Sequence, residues 1–142
     1  GWRSPDLSAL DQWERKVSLK ANTAGPWAIV FFYPKADTPG CTAQGCSLRD
    51  SYEVLQQKGV AVIGVSLDSV SEQKAFKQKY QLPFTLIADE DKTVVNAFHV
   101  PAGAGYAQRQ AFLVKDGKIA WLDFSASTRR QAADVLKVVS GS

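Results

Sequence analysis

The stretch Ala28-Ile29-Val30-Phe31-Phe32-Tyr33-Pro34-Lys35-Ala36-Asp37-Thr38-Pro39-Gly40-Cys41-Thr42-Ala43-Gln44-Gly45-Cys46 decides how the rest of the chain is read. It opens with a continuous apolar run, rich in β-branched and aromatic side chains, with no polar position left to face water. That is the pattern of a strand buried on both faces of a sheet. Pro34 follows the run, and Thr38 before Pro39 has the residue types of a helix N-cap and a first helical residue. A strand therefore feeds, through a short loop, a helix whose first turn carries Cys41.

Downstream of the cysteines, Leu48, Tyr52 and Leu55 fall on one helical stripe, and Gly59 is placed to end that helix. Residues 60–66 read as a second buried strand. Ser69 and Glu72 have capping-box spacing and predict a helix running to about Tyr80. A third strand is expected over 84–88, a short helix over 92–98 and a Gly- and Ala-rich loop over 101–107. Strands over 110–114 and 119–124 flank Lys115-Asp116-Gly117-Lys118, where Asp-Gly favours a tight hairpin. Thr128 to Gln131 opens a closing helix through Val135 and Val138. Upstream, residues 17–19 alternate enough for an edge strand, followed by a polar turn through Asn22, Gly25 and Pro26. Alternating strands and helices, then a hairpin and a last helix, predict an α/β fold with a mixed central sheet.

The chain has 142 residues, a length that suits one domain over 1–142 with a core of its own. With 45% hydrophobic and 22% charged residues, neither disorder nor a fibrous repeat is expected. The net charge of +3 is dispersed, its longest basic runs being the pairs Arg15-Lys16 and Arg129-Arg130. Nothing there makes a phosphate-binding stripe, so nucleic acid is not an expected partner. The apolar run from Trp27 to Tyr33 is far short of the roughly 20 residues that cross a bilayer, so no membrane span is expected either. No signal-peptide pattern is present. Cytoplasm is the expected location, or a plastid or exported one if a targeting segment has been removed.

Cys41 and Cys46 are the two cysteines, too few for a disulfide-dense scaffold; in a reducing compartment such a pair is catalytic or metal-binding. In the first turn of a helix, unpaired N–H groups and the positive end of the dipole favour a thiolate at Cys41. Such surroundings can bring a cysteine pKa from about 8.5 into the range of roughly 3.5–7.5. The alternative is a buried, inert cysteine. On an intact helix, residues five apart have Cα atoms about 8–9 Å apart, whereas a disulfide needs less than about 7 Å. If the two cysteines pair, the first turns must unwind, making bond and helix alternative states. A closed zinc site needs four ligands, and the single histidine, His99, is far away in sequence. His99 reads as a packing or surface residue, so neither a metal site nor a Cys-His hydrolase pair has much support.

Residues 32–46 resemble the active-site region of peroxiredoxins, specifically the PrxQ or bacterioferritin comigratory protein group. Pro34, Thr38 and Cys41 stand in the family pattern of Pro, three residues, Thr, two residues and Cys, and Cys46 follows five positions later. Leu48-Arg49-Asp50 and Leu82-Pro83-Phe84-Thr85-Leu86 are similar too, and the resemblance runs from about Pro5 to Val138. The loop from Pro101 to Gln108 departs from the pattern in being short and Ala-rich, and residues 125–142 are only generically similar.

The resemblance implies a thioredoxin-like fold of peroxiredoxin type, its mixed sheet flanked by helices, and a thiol-dependent reduction of hydrogen peroxide and organic hydroperoxides. Cys41 would be the peroxidatic cysteine and Cys46 the resolving one. Thr38 would hydrogen-bond thiolate and peroxide, and Pro34 would shield the pocket from water. Arg109 would stabilise thiolate and transition state, a role for which Arg49 is the alternative. Backbone N–H groups of Gly40 and Cys41 would help hold the departing oxygen. No metal, haem or flavin is required. The chain has no third cysteine and no dinucleotide fingerprint, so a disulfide would need an external reductant, and the resemblance implies thioredoxin or a similar dithiol protein. A monomer is expected. Two rivals remain: a thioredoxin-type exchange enzyme, against which the spacing speaks because such enzymes use Cys-x-x-Cys, and a binding module with a permanent Cys41–Cys46 bond.

Overall fold

The computed structural model describes residues 8–18, 26–102, 106–116 and 118–123. In chain order the elements are β1 (Ser8–Asp11), β2 (Lys16–Ser18), β3 (Trp27–Phe32), α1 (Pro39–Asp50), α2 (Tyr52–Gln57), β4 (Val60–Ser66), α3 (Val70–Tyr80), β5 (Thr85–Ala88), α4 (Thr93–Ala97), β6 (Gln110–Lys115) and β7 (Lys118–Asp123). The strands form one seven-stranded sheet in the order β2-β1-β5-β4-β3-β6-β7. β3, β4 and β5 run parallel, as their helical crossovers require; β1, β2, β6 and β7 pair antiparallel.

The apolar run predicted as a central strand lies between β4 and β6, with every residue of β3 buried. Alternation still operates within it. Trp27, Ile29, Phe31 and Tyr33 enter one core with Leu48, Leu55, Phe76 and Leu82, under α1, α2 and α3. Ala28, Val30 and Phe32 enter the other with Val94, Val95 and Phe98, under α4. Period-two side-chain direction thus distributes one uniformly apolar strand between two cores.

Several expectations shift at their edges. The helix expected to run unbroken towards Gly59 is interrupted at Ser51, which ends α1 and begins α2. The stripe survives the break, Leu48 and Leu55 being buried and Tyr52 packed against the same core. The edge strand expected over 17–19 is β2, paired with β1, a strand not anticipated from the sequence. The Ser69–Glu72 capping box is present in both directions. Lys115 pairs with Lys118 across the hairpin, and Asp116 has φ +51°, the left-handed geometry of a tight primed turn. The predicted closing helix lies outside the described residues. Among those described, no helix is long and apolar enough to cross a membrane.

Candidate active site

The register of β3 decides what meets at its C-terminal end. Phe32, the last residue of β3, pairs with Val65 of β4 on one side and with Gln110, the first residue of β6, on the other. The loop from Tyr33 to Thr38 therefore starts beside Arg109, which immediately precedes β6. Pro34 is half-buried in that loop.

Thr38 occupies the N-cap position of α1 with extended backbone, and Pro39 follows it, but the Thr38 side chain does not cap. Its hydroxyl instead donates to the Lys35 carbonyl at 2.7 Å, while its carbonyl accepts from Thr42 N–H at 2.8 Å. The hydroxyl proton is thus engaged and the oxygen lone pairs remain to accept. Gly40 and Cys41 are the second and third residues of α1. By helix geometry their N–H groups have no partner four residues back within the helix. The first turn contains no acidic residue, so nothing there opposes an anion. Cys46 lies farther along the same helix as a half-buried free thiol.

Of the two candidate arginines, Arg109 reaches the N-terminal half of α1 from beside β6, whereas Arg49 sits in the last turn of α1 itself. Arg109 Nη1 donates to Gln44 Oε1 at 2.6 Å, and Gln44 is wholly buried, one helical turn after Cys41. Arg49 reaches elsewhere, donating from Nη1 to the Tyr80 carbonyl at 2.8 Å and pairing with Asp50. His99 is exposed, in the turn after α4.

Five partners missing from the sequence reading hold the loop from outside. Asp68 accepts from the Lys35 ammonium at 3.0 Å and from Ala36 N–H at 2.7 Å, and its orientation is fixed by the Ser66 hydroxyl. Glu72 takes a second proton of Lys35 at 2.9 Å. These two carboxylates hold the Lys35 ammonium above the usual lysine range, Glu72 first and Asp68 second. Glu72 is itself brought down to about 2 by the Ser69 backbone N–H and then by Lys35. Farther along, Asp37 accepts from the Tyr80 hydroxyl at 2.7 Å and from Lys79 at 2.9 Å. The hydroxyl and then the ammonium hold its carboxyl below the usual range. Beneath the loop, Tyr33 donates to Gln73 Oε1 at 2.5 Å, and Gln73 Nε2 donates to the Ile87 carbonyl at 2.8 Å, all buried. The visible signal for these contacts was the charge in Lys35-Ala36-Asp37; the answering groups lie more than thirty residues away.

A cysteine at a helix start, a buried glutamine tying an arginine to the next turn and a second cysteine on the same helix are gathered at one end of a mixed α/β sheet. The AhpC/TSA family model matches residues 1–122, and the chain belongs to that family. Within it, the chain falls in the peroxiredoxin Q and bacterioferritin comigratory protein subgroup. It is 46% identical over 102 residues to the chloroplastic peroxiredoxin Q of Oryza sativa subsp. japonica, covering 72% of this chain and 46% of that one. The chain thus spans about half the length of the curated relatives it matches. Among solved structures, the peroxidoxin BcpB of Mycobacterium tuberculosis superposes with a TM-score of 0.89 at 26% identity, covering 99% of this chain and 98% of that one. A Xanthomonas campestris bacterioferritin comigratory protein, whose structures concern alkyl peroxide reduction, gives 0.88 at 27% identity, covering 99% and 96%. The fold is thioredoxin-like, of peroxiredoxin type.

Proposed function

We propose that the chain is a thiol peroxidase acting on hydrogen peroxide and organic hydroperoxides through Cys41. The observation that carries this reading is the Arg109–Gln44 bond, which ties a guanidinium to the helix that bears both cysteines. The Cys41 thiolate attacks the terminal oxygen of the hydroperoxide. An S–O bond forms, the O–O bond breaks, and the departing alkoxide or hydroxide takes a proton to leave as alcohol or water. Negative charge grows on the departing oxygen, where fixed donors contribute most to rate. Arg109 and the N–H groups of Gly40 and Cys41 supply them. Thr38, its proton engaged by Lys35, accepts the O–H of the incoming hydroperoxide, and Pro34 keeps water from the pocket.

The Cys41 sulfenic acid then condenses with the Cys46 thiol, forming the disulfide and releasing water. The helical separation described above requires α1 to unwind for this step. A thioredoxin-like dithiol returns both thiols. The protein works as a monomer without metal, haem or flavin, in a thiol-reducing space such as cytoplasm or plastid.

Stopped-flow mixing of the reduced protein with about one equivalent of hydrogen peroxide, followed by peptide mapping, tests this. Rapid peroxide loss with a Cys41–Cys46 bridge is expected, lost in Cys41→Ser. Cys46→Ser should still be oxidised once and then stall. Arg109→Ala should slow the peroxide step by about 100-fold, the scale of losing one transition-state donor. Full turnover by Cys41→Ser would overturn the assignment, and equal slowing by Arg49→Ala alone would transfer the arginine role.

A further inference from the structure

Tyr80 touches both ends of helix α1. Its hydroxyl donates to Asp37 Oδ1 at 2.7 Å, two residues before the helix begins. Its carbonyl accepts from Arg49 Nη1 at 2.8 Å, one residue before the helix ends. Both cysteines lie between these two attachments. Tyr80 is well placed to hold them, because it is the last residue of α3. Its ring packs edge-on against Phe76 at 5.6 Å and beneath the Lys79 ammonium at 5.3 Å. The residue it grips, Asp37, has φ +60°, a left-handed turn geometry that aspartate adopts more readily than most non-glycine residues.

We propose that Tyr80 is a positioning residue that sets the balance between the wound and unwound forms of the cysteine helix. The inference rests on the peroxidase reading above. The two attachments have different fates when the helix opens. Leu48 is wholly buried in the core, so the Arg49 end stays anchored beside it. The Asp37 end precedes the turn that must open for Cys41 to approach Cys46, so the Tyr80 hydroxyl bond breaks with unwinding. That bond stabilises the wound form only, and its strength is transmitted directly to the population of the unwound one. Lys79 also grips Asp37, but through an exposed ion pair that solvent screens.

Tyr80→Phe keeps the ring and the backbone carbonyl and removes only the hydroxyl. In the reduced protein, hydrogen exchange of amides 42–46 should rise about fivefold, the scale of one charge-assisted hydrogen bond discounted for exposure, while amides of β3 and β4 keep their rates. After peroxide addition, closure of the Cys41–Cys46 bond should be faster by a similar factor. The peroxide step should change less than twofold, since the wound form still dominates. At high peroxide, faster closure leaves less sulfenic acid to be oxidised to sulfinic acid, which mass spectrometry reads directly. Unchanged exchange in 42–46, or faster exchange spread over β3 and β4 as well, would overturn the assignment. So would an equal effect from Lys79→Gln, which would give the hold on Asp37 to the ion pair. If the unmutated protein forms no Cys41–Cys46 bond, the peroxidase reading fails, and the exchange measurement on the reduced protein still decides the role of Tyr80.

Discussion

Helices α1 and α3 cover the same face of the sheet, with Gly45 of one close to Phe76 of the other, and both carry a basic residue in the last turn, yet their starts are built in opposite ways. α3 has a reciprocal capping box, an acidic residue in its first turn, two lysines in its last and a left-handed residue to finish it. Each feature satisfies orphan backbone groups or complements the helix dipole. α1 starts at a threonine whose side chain does not cap, carries no acid in its first turn and has glycine at 40 and again at 45. One helix is a finished frame and the other a segment with little intrinsic stability. On the proposed mechanism, the difference teaches where a protein that unwinds part of itself keeps its rigidity: in the neighbour that holds the ends.

The sharpest way to break this contrast is to damage the frame. Gln73→Leu would remove the buried bonds to the Tyr33 hydroxyl and the Ile87 carbonyl, at a cost of about 2 kcal/mol for the two, read as a lower urea midpoint for the whole protein. A loss confined to α1 would refute the division of labour. A smaller change strengthens the weak helix. A Cβ at Gly45 would meet Phe76 at 3.5 Å and Leu82 at 3.6 Å, ordinary contacts, and alanine gains about 1 kcal/mol over glycine in a helix. Gly45→Ala should therefore slow Cys41–Cys46 closure about fivefold in a quenched time course, and an unchanged rate would mean that unwinding does not limit closure.

The smallest effect is one of pH. Glu72 sits at about 2 in the fold against 4.5 ordinarily. Its contribution is present above about 4.5 and disappears as pH falls towards 2. The stability gap between the unmutated protein and Glu72→Gln, measured by urea at pH 7 and at pH 3, should shrink at the lower pH. A constant gap would show that the Glu72 charge contributes nothing.

Much of this architecture was legible. The uninterrupted apolar run of β3 predicted burial on both faces, and Ser69 with Glu72 predicted the start of α3, because both signals are local. The break at Ser51 was not, since the stripe of Leu48, Tyr52 and Leu55 keeps its phase through it. β1 was missed because Ser8-Ala9-Leu10-Asp11 has no alternation to distinguish it from a turn. Thr38 has the residue type of an N-cap and the right position, but its hydroxyl is oriented by the Lys35 carbonyl and its oxygen accepts no N–H from the first turn. At the candidate site, a motif and a resemblance offered Cys41, Cys46, Thr38 and Arg109 as candidates. Gln44, Asp68, Gln73 and Tyr80 could not, because their partners come from other elements and no short-range pattern encodes a contact across the fold.

The connection leading to Arg109 has a further consequence. Its base is closed by a backbone bond from Gln108 N–H to the Pro101 carbonyl at 2.9 Å, and Arg109 then enters β6 in fixed register with β3. Residues added or removed between 102 and 106 fall inside that closing bond and are expected to leave the guanidinium where it is, since lengthening a connection costs little free energy. A single residue inserted between 109 and 112 would instead shift Arg109 out of register by about 3.4 Å and turn its side chain towards the opposite face of the sheet. This loop is where the chain can accept new sequence, a tag or a recognition element without disturbing the arginine beside it.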